Sequence, residues 1–139
     1  MASKSASSKK RYGEQTPTQS VILPYDKTIG EDALKIYKST GRRAYPWQED
    51  LVKAMLAVTD DGLWTHSKFG YAVPRRNGKT EIAYIVELYA LFDGKNILHT
   101  AHRISTSHSS FLKIKKYLES YLKCTSRGIL IIYIHQILR

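Results

Sequence analysis

The middle of the chain carries a pattern that few folds accommodate. Residues 68–73 read as a short strand that Pro74 ends, and residues 79–92 are apolar on most sides, as a buried helix is. A second strand at 96–101 and an amphipathic helix at 105–122 follow. Strand, helix, strand and helix at this spacing predict parallel pairing with right-handed crossovers, and therefore an α/β fold.

Two further helices are predicted upstream. Apolar residues recur at helical spacing from Gly30 to Thr40, before a possible C-cap at Gly41. Pro46 opens a stronger helix that ends before the turn cluster at 60–62. Residues 1–18 are polar and charged and are predicted to be a disordered basic tail. The folded part is expected at 19–123, followed by a divergent segment at 124–139.

Charge points to a polyanionic partner. The 22 basic residues against 12 acidic ones give a formal charge of +10, and the chain stays basic without its tail. The single cysteine, Cys124, excludes an internal disulfide and a cysteine-rich metal site. The spacing of His99, His102 and His108 matches no usual zinc pattern. The most apolar run, 128–138, is too short to cross a bilayer, so we expect a soluble protein.

The turn before the apolar helix has the chemistry of a polyphosphate site. Backbone N–H groups at a helix N-terminus point at an anion, and Gly78 allows close approach of the main chain. Lys79 can reach the β- and γ-phosphates, and the Thr80 hydroxyl can ligate Mg²⁺. The usual pattern G-x-x-x-x-G-K-[ST] would place glycine at position 73, where this chain has Val73. The strands and helices predicted around the turn nevertheless favour nucleotide binding.

The deviant form of the turn is itself informative. Pro-Arg-Arg-Asn-Gly-Lys-Thr at 74–80 resembles the ATPase loop of tailed-phage terminase large subunits. Tyr45-Pro46-Trp47-Gln48 looks like the adenine-binding element of that family. Residues 61–65, and 97–103 with the helix after them, resemble the segments that flank the loop. The resemblance covers about residues 16–123, and the order of the four segments is more specific than any one of them.

The resemblance implies a partial P-loop NTPase, with an incomplete parallel sheet and flanking helices, in which 19–123 is the N-terminal part of the ATPase domain. It implies that Lys79 binds phosphate, Thr80 ligates Mg²⁺, and Arg76 or Arg75 senses the γ-phosphate, with Lys79 and Arg76 catalytic. Gln48 would read the adenine edge beside an aromatic ring. The full set expected to bind Mg-ATP is Gln48, Trp47, Pro74, Arg75, Arg76, Asn77, Gly78, Lys79 and Thr80.

Hydrolysis also requires a carboxylate at the end of an apolar strand to hold the Mg²⁺ water, and a second acid to activate the attacking water. No apolar strand predicted after the loop ends in Asp or Glu, and the last acidic residue is Glu119. From Thr125 the resemblance ends, and 129–134 is either an edge strand or part of an out-of-frame product of a premature stop, with truncation favoured. We therefore expect ATP binding, but no hydrolysis by the chain alone. The nuclease domain of terminases is not recognisable either.

The family resemblance implies a motor that drives viral DNA into a capsid. Its expected partners are double-stranded DNA, the terminase small subunit and the portal protein, and its expected location is the cytoplasm of the bacterial host of a phage or prophage. Two alternatives stay open. One is a helicase-like or restriction-translocase ATPase, and the other is a small basic DNA-binding protein in which Gly-Lys-Thr is incidental.

Overall fold

The computed structural model describes residues 13–125, with the side chains of residues 13–119. Four helices account for most of the regular structure: α1 (Gly30–Ser39), α2 (Pro46–Met55), α3 (Lys79–Phe92) and α4 (Ile104–Thr125). Two short strands, β1 (Lys27–Thr28) and β2 (Ala57–Val58), complete the ordered elements of this part of the chain. A helix forms at each of the four predicted places, and residues 79–92 match α3 at both ends. The helix predicted to run from Pro46 to the turn at 60–62 is shorter than predicted, because α2 ends at Met55 and Ala57–Val58 form β2.

The core forms where α1, α2 and α3 pack against one another, and α4 packs against α3. The side chains at its centre are fully excluded from solvent: Ala33 of α1, Val52 of α2, and Ile82, Ile85 and Leu88 of α3. From α4, Leu118 and Tyr117 join the same cluster. Burying a large aliphatic side chain contributes about 1.5–3 kcal/mol, so α3, which supplies three of them, holds the helices together.

The two strands form a small antiparallel ribbon beside α2. Lys27 pairs with Val58 and Thr28 with Ala57. The Thr28 hydroxyl also donates to the carbonyl of Lys53, at 2.6 Å, and thus fixes the start of α1 against the end of α2. Residues after β2 turn back onto it, since the Thr65 N–H donates to the carbonyl of Ala57 at 3.0 Å.

The predicted α/β fold, a partial P-loop NTPase with an incomplete parallel sheet, is wrong: the described residues are mostly helical. Residues 68–73 and 96–101 form no strand, and the sheet within the described residues has two antiparallel strands. The sheet does not form because the helix that would cover it packs against other helices instead. A parallel sheet needs helices to cover both of its faces, but the apolar sides of α3 are already covered by other helices. Ile97 and Leu98 consequently remain 36% and 69% exposed, and no ladder forms around them.

Other predictions fall partly outside the described residues. Of the predicted tail at 1–18, residues 13–18 carry no helix or strand, and the rest is not described. The possible edge strand at 129–134 and most of the segment 124–139 also lie beyond the described residues, while α4 continues through Thr125. Between residues 13 and 125, no helix is both long enough and apolar enough to span a membrane.

The closest approach of α1 to α2 depends on Gly30. A Cβ atom built at Gly30 would lie 2.6 Å from the Lys53 Cα and 2.9 Å from the Lys53 nitrogen. These are backbone atoms of a packed helix, so they cannot move aside as a flexible side chain would. We expect Gly30→Ala to push α1 away from α2 and to lower the free energy of unfolding by about 1–3 kcal/mol.

The matched control is Gly70→Ala, because a Cβ at Gly70 meets nothing within 4 Å. It should be neutral, or stabilising by about 0.4–1 kcal/mol through the unfolded chain. Urea unfolding followed by circular dichroism measures both variants. Equal stabilities for the two would show that the helices do not approach as closely as described.

Candidate functional site

The turn at 74–78 is exposed and has an unusual backbone. Arg76 has a φ of 67° and Gly78 a φ of 81°, and Arg76 is the one non-glycine residue of the described chain with positive φ. A left-handed conformation costs an ordinary residue about 1–2 kcal/mol. Turns that alternate handedness direct backbone N–H groups to one side and make anion-binding concavities. A strained arginine in such a turn is therefore a reason to suspect a function.

Helix α3 begins immediately after this turn. Gly78 is its N-cap residue and provides no side-chain cap, while the Glu81 N–H donates to the Gly78 carbonyl at 3.1 Å. Lys79 and Thr80 occupy the first turn of the helix and are both exposed. The positive end of the α3 dipole, an ammonium group and a hydroxyl are thus presented together to solvent, which suits an anionic ligand.

Gln48 connects the two segments that were predicted to bind nucleotide. Its Nε2 donates to the Gly78 carbonyl at 2.9 Å, and its Oε1 accepts the Tyr45 N–H at 2.8 Å. The side chain is only 2% exposed. One donor and one acceptor position of its amide remain, as adenine recognition would require, but a base can reach them only if the surroundings of Gln48 move. Base reading by Gln48 stays a prediction.

The remaining predicted residues lie around this contact. Pro74, Arg75, Arg76 and Asn77 are exposed in the turn, whereas Trp47 is half-buried against the hydrophobic core. Sequence reasoning missed Tyr71, whose hydroxyl donates to the Lys79 carbonyl at 3.1 Å. Its aromatic character was interpreted only as part of a strand. Gln48 and Tyr71 therefore hold successive carbonyls at the start of α3.

Glu81, which directly follows Thr80, was also missed. Its Oε2 accepts a hydrogen bond of 2.6 Å from the Tyr37 hydroxyl of α1. Lys113 of α4 lies 3.4 Å from its Oε1, and the Arg42 guanidinium lies 3.6 Å from its Oε2. The only sequence signal was an acidic residue in the first turn of a helix. The carboxylate, one residue after Thr80, links three helices and the segment after α1.

Aromatic rings surround this carboxylate. Tyr117 stands edge-on to Tyr37, with ring centroids 6.3 Å apart, and the Arg42 guanidinium lies 4.8 Å from the Tyr117 centroid. Burial, followed by the nearby Glu81, raises the pKa of Tyr117 to about 12 and raises that of Tyr37 further. Both hydroxyls consequently keep their protons at neutral pH and can donate to Glu81.

A second acidic group is buried farther along α3. Glu87 is 9% exposed, its Oε1 lies 2.5 Å from the His99 Nδ1, and its Oε2 has no hydrogen-bond partner. Burial raises the pKa of Glu87, and the hydrogen bond and charge of His99 lower it. Among the described residues, no three His, Cys, Asp or Glu side chains are grouped as a metal site. The contact that the structure shows for the His99 ring is the one with the buried Glu87 carboxylate.

Comparison with family models, with curated proteins and with solved structures found no significant match to this chain. The assignment of residues 45–48 and 74–80 thus depends on their own sequence and geometry.

Replacement of Gln48 by glutamate tests the contact between the segments. Gln48→Glu removes the N–H that Gly78 accepts and places a carboxylate oxygen against its carbonyl, at a site that is 2% exposed. We expect a loss of about 1–3 kcal/mol in the free energy of unfolding at pH 7. The exposed Gln19→Glu adds the same charge and should change stability little. Equal effects in chemical denaturation would contradict the contact.

Removal of His99 should make stability more dependent on pH. In His99→Ala, Glu87 loses the partner that lowers its pKa, so its folded-state pKa rises further above the ordinary value of 4.5. A raised carboxyl pKa contributes stability that is present at low pH and is lost as the pH rises through the folded-state pKa. We therefore expect the variant to be less stable than the parent by about 1–3 kcal/mol at pH 7, with the difference shrinking below pH 4.5.

Thermal melts of both proteins between acidic and neutral pH measure this dependence. His108→Ala is the control, because His108 is exposed on α4. A constant difference between His99→Ala and the parent at all pH values would show that His99 does not act on the Glu87 carboxyl.

Proposed function

We propose that this chain binds a magnesium nucleoside triphosphate at residues 74–80, as the N-terminal ATPase part of a tailed-phage terminase large subunit. The proposal concerns the turn and the start of α3, and it does not include a parallel sheet. We propose binding alone, because hydrolysis also needs a carboxylate at the end of an apolar strand beyond the loop, and the described residues after Thr80 form no strand. ATP is the expected nucleotide, with Mg²⁺ as its metal.

The observation that carries the proposal is the hydrogen bond from Gln48 to the Gly78 carbonyl. The sequence separates these residues by 30 positions. Residues 45–48 and 74–80 each resemble a nucleotide-binding element. A site that uses both elements requires them to be in contact. An incidental Gly-Lys-Thr gives no reason for a buried amide to be held against its glycine.

The proposed roles follow from position and chemistry. The α3 N-terminus receives the phosphates, the Lys79 ammonium neutralises the β- and γ-oxygens, and the Thr80 hydroxyl ligates Mg²⁺. Arg76, or its neighbour Arg75, meets the γ-phosphate with a delocalised guanidinium. Both arginines are exposed, so they can turn towards a ligand without breaking a buried contact.

The family resemblance extends the proposal from ATP binding to a biological role, partners and a location. It implies ATP-driven packaging of double-stranded DNA, with the terminase small subunit and the portal protein as partners. It also implies the cytoplasm of the bacterial host as the location. The excess of basic residues agrees with a DNA partner.

Removal of the lysine ammonium is the most specific test of binding. Lys79→Ala should weaken Mg-ATP binding by about 1.5–3 kcal/mol, or more than about ten-fold in Kd, because charge-assisted hydrogen bonds to phosphate are lost. Isothermal calorimetry at millimolar ATP measures this change. Removal of Mg²⁺ with a chelator should weaken binding to the parent in the same assay.

Lys68→Ala is the matched control, since Lys68 is an exposed lysine outside the turn. It should leave ATP binding unchanged. If the folded parent shows no heat of binding, or if Lys79→Ala and Lys68→Ala bind ATP equally, the Gly-Lys-Thr turn is incidental and the proposal is wrong.

A further inference from the structure

A second basic feature lies between α1, α2 and the segment that joins them. These elements line an open cavity of about 420 Å³, which we call the α1–α2 groove. Its cationic lining residues are Lys35, Lys38, Arg42, Arg43 and Lys53. Two carboxylates, Glu31 and Glu49, line it as well. The groove is therefore electropositive, with five cations against two anions.

The cations differ in how far they are already neutralised. Lys35 lies 2.8 Å from Asp32, and Lys53 lies 3.6 Å from Glu31. Lys38 and Arg43 are exposed, and neither forms a salt bridge with another residue of the described chain. These two charges are thus available to an external anion.

The spacing of the cations fits an extended anion better than a compact one. Lys35 and Lys38 are about 4.5 Å apart along α1, at 1.5 Å per residue. Arg42 and Arg43 follow the end of the helix and line the same cavity. Cations spread in this way can contact more than one phosphate, because successive phosphates of one strand are about 3.4 Å apart along a duplex axis.

Among the described residues, the lining of the groove offers no exposed ring for a base to stack on. Tyr37 is the only aromatic residue in this part of the lining, and it is 3% exposed with its ring edge-on to Tyr117. A mononucleotide would therefore make no ring contact here, whereas a polynucleotide backbone needs only phosphate contacts. We propose that the α1–α2 groove binds the phosphodiester backbone of a nucleic acid without reading its sequence.

The groove and the turn at 74–78 are separate but adjacent. Arg42 lines the groove and also lies 3.6 Å from Glu81, one residue after Thr80. The choice of DNA as the nucleic acid rests on the proposed function, which implies a DNA partner. The groove itself is defined by its charge and shape. Binding of nucleic acid and binding of ATP can accordingly be measured apart.

The test uses fluorescence anisotropy with a labelled duplex of about 20 base pairs, without nucleotide, at several salt concentrations. Lys38→Gln combined with Arg43→Gln removes the two unpaired charges of the groove. We expect about ten-fold weaker binding and a salt dependence that is less steep by about 1.8, which corresponds to two lost phosphate contacts at 0.9 each. A labelled single strand of the same length should respond in the same direction.

Lys68→Gln combined with Arg103→Gln is the matched control, because it removes one lysine and one arginine from exposed positions that do not line the groove and form no salt bridge within the described residues. It should change affinity by no more than about two-fold. Lys38→Arg combined with Arg43→Lys keeps both charges and should retain binding to the duplex. Circular dichroism melts establish that each protein is folded before binding is compared.

Three results would overturn the proposal. The first is a folded parent that does not bind the duplex. The second is an equal loss of affinity in the groove and control variants, which would indicate general charge attraction. The third is a groove variant that loses ATP binding and keeps DNA binding, which would make the groove part of the nucleotide site. Lys79→Ala should retain DNA binding, so failure of the nucleotide proposal is distinguishable from failure of this one.

Discussion

The first turn of α3 depends on one carboxylate, which links α3 to α1 and α4. Glu81 accepts a 2.6 Å hydrogen bond from Tyr37 of α1, and it lies within salt-bridge distance of Lys113 on α4 and of Arg42 after α1. It is half-buried among tyrosine rings, where a charge is stabilised only if partners surround it. Because Glu81 directly follows Thr80, the contacts that assemble the helices also fix the first turn of α3. The proposed site therefore depends on the packing of the whole domain.

Two further hydrogen bonds complete the support of that turn. Gln48 holds the Gly78 carbonyl and Tyr71 holds the Lys79 carbonyl, so the backbone at the start of α3 is fixed from two sides. The exposed arginines of the turn stay outside these contacts. A rigid backbone with movable charged side chains suits the binding of a polyphosphate, whose oxygens are met by fixed N–H groups first. Arg42 connects this support to the basic groove between α1 and α2.

Local features of the fold were predictable from the sequence, and contacts between distant residues were not. Helical periodicity and the loop before Lys79 predicted α1 to α4, because these signals arise within a few residues of the chain. The apolar pattern at 96–101 indicates a preference for extended structure. A β-strand forms only when a second strand pairs with it, and Leu98 remains 69% exposed. The sequence predicted Gln48 as a site residue without its bond to Gly78. The partners of Glu81 were not predicted, because they are distant in sequence: Tyr37 is 44 residues away.

The central claim is that a nucleotide occupies the turn supported by Gln48 and Glu81. The most direct measurement is a two-dimensional ¹H–¹⁵N NMR titration of the chain with Mg-ATP. We predict saturable shifts that are largest for the backbone amides of Gly78, Lys79 and Thr80, and that extend to the side-chain amide of Gln48. Saturable shifts confined to other surfaces, or no shifts in a well-folded sample, would contradict the claim.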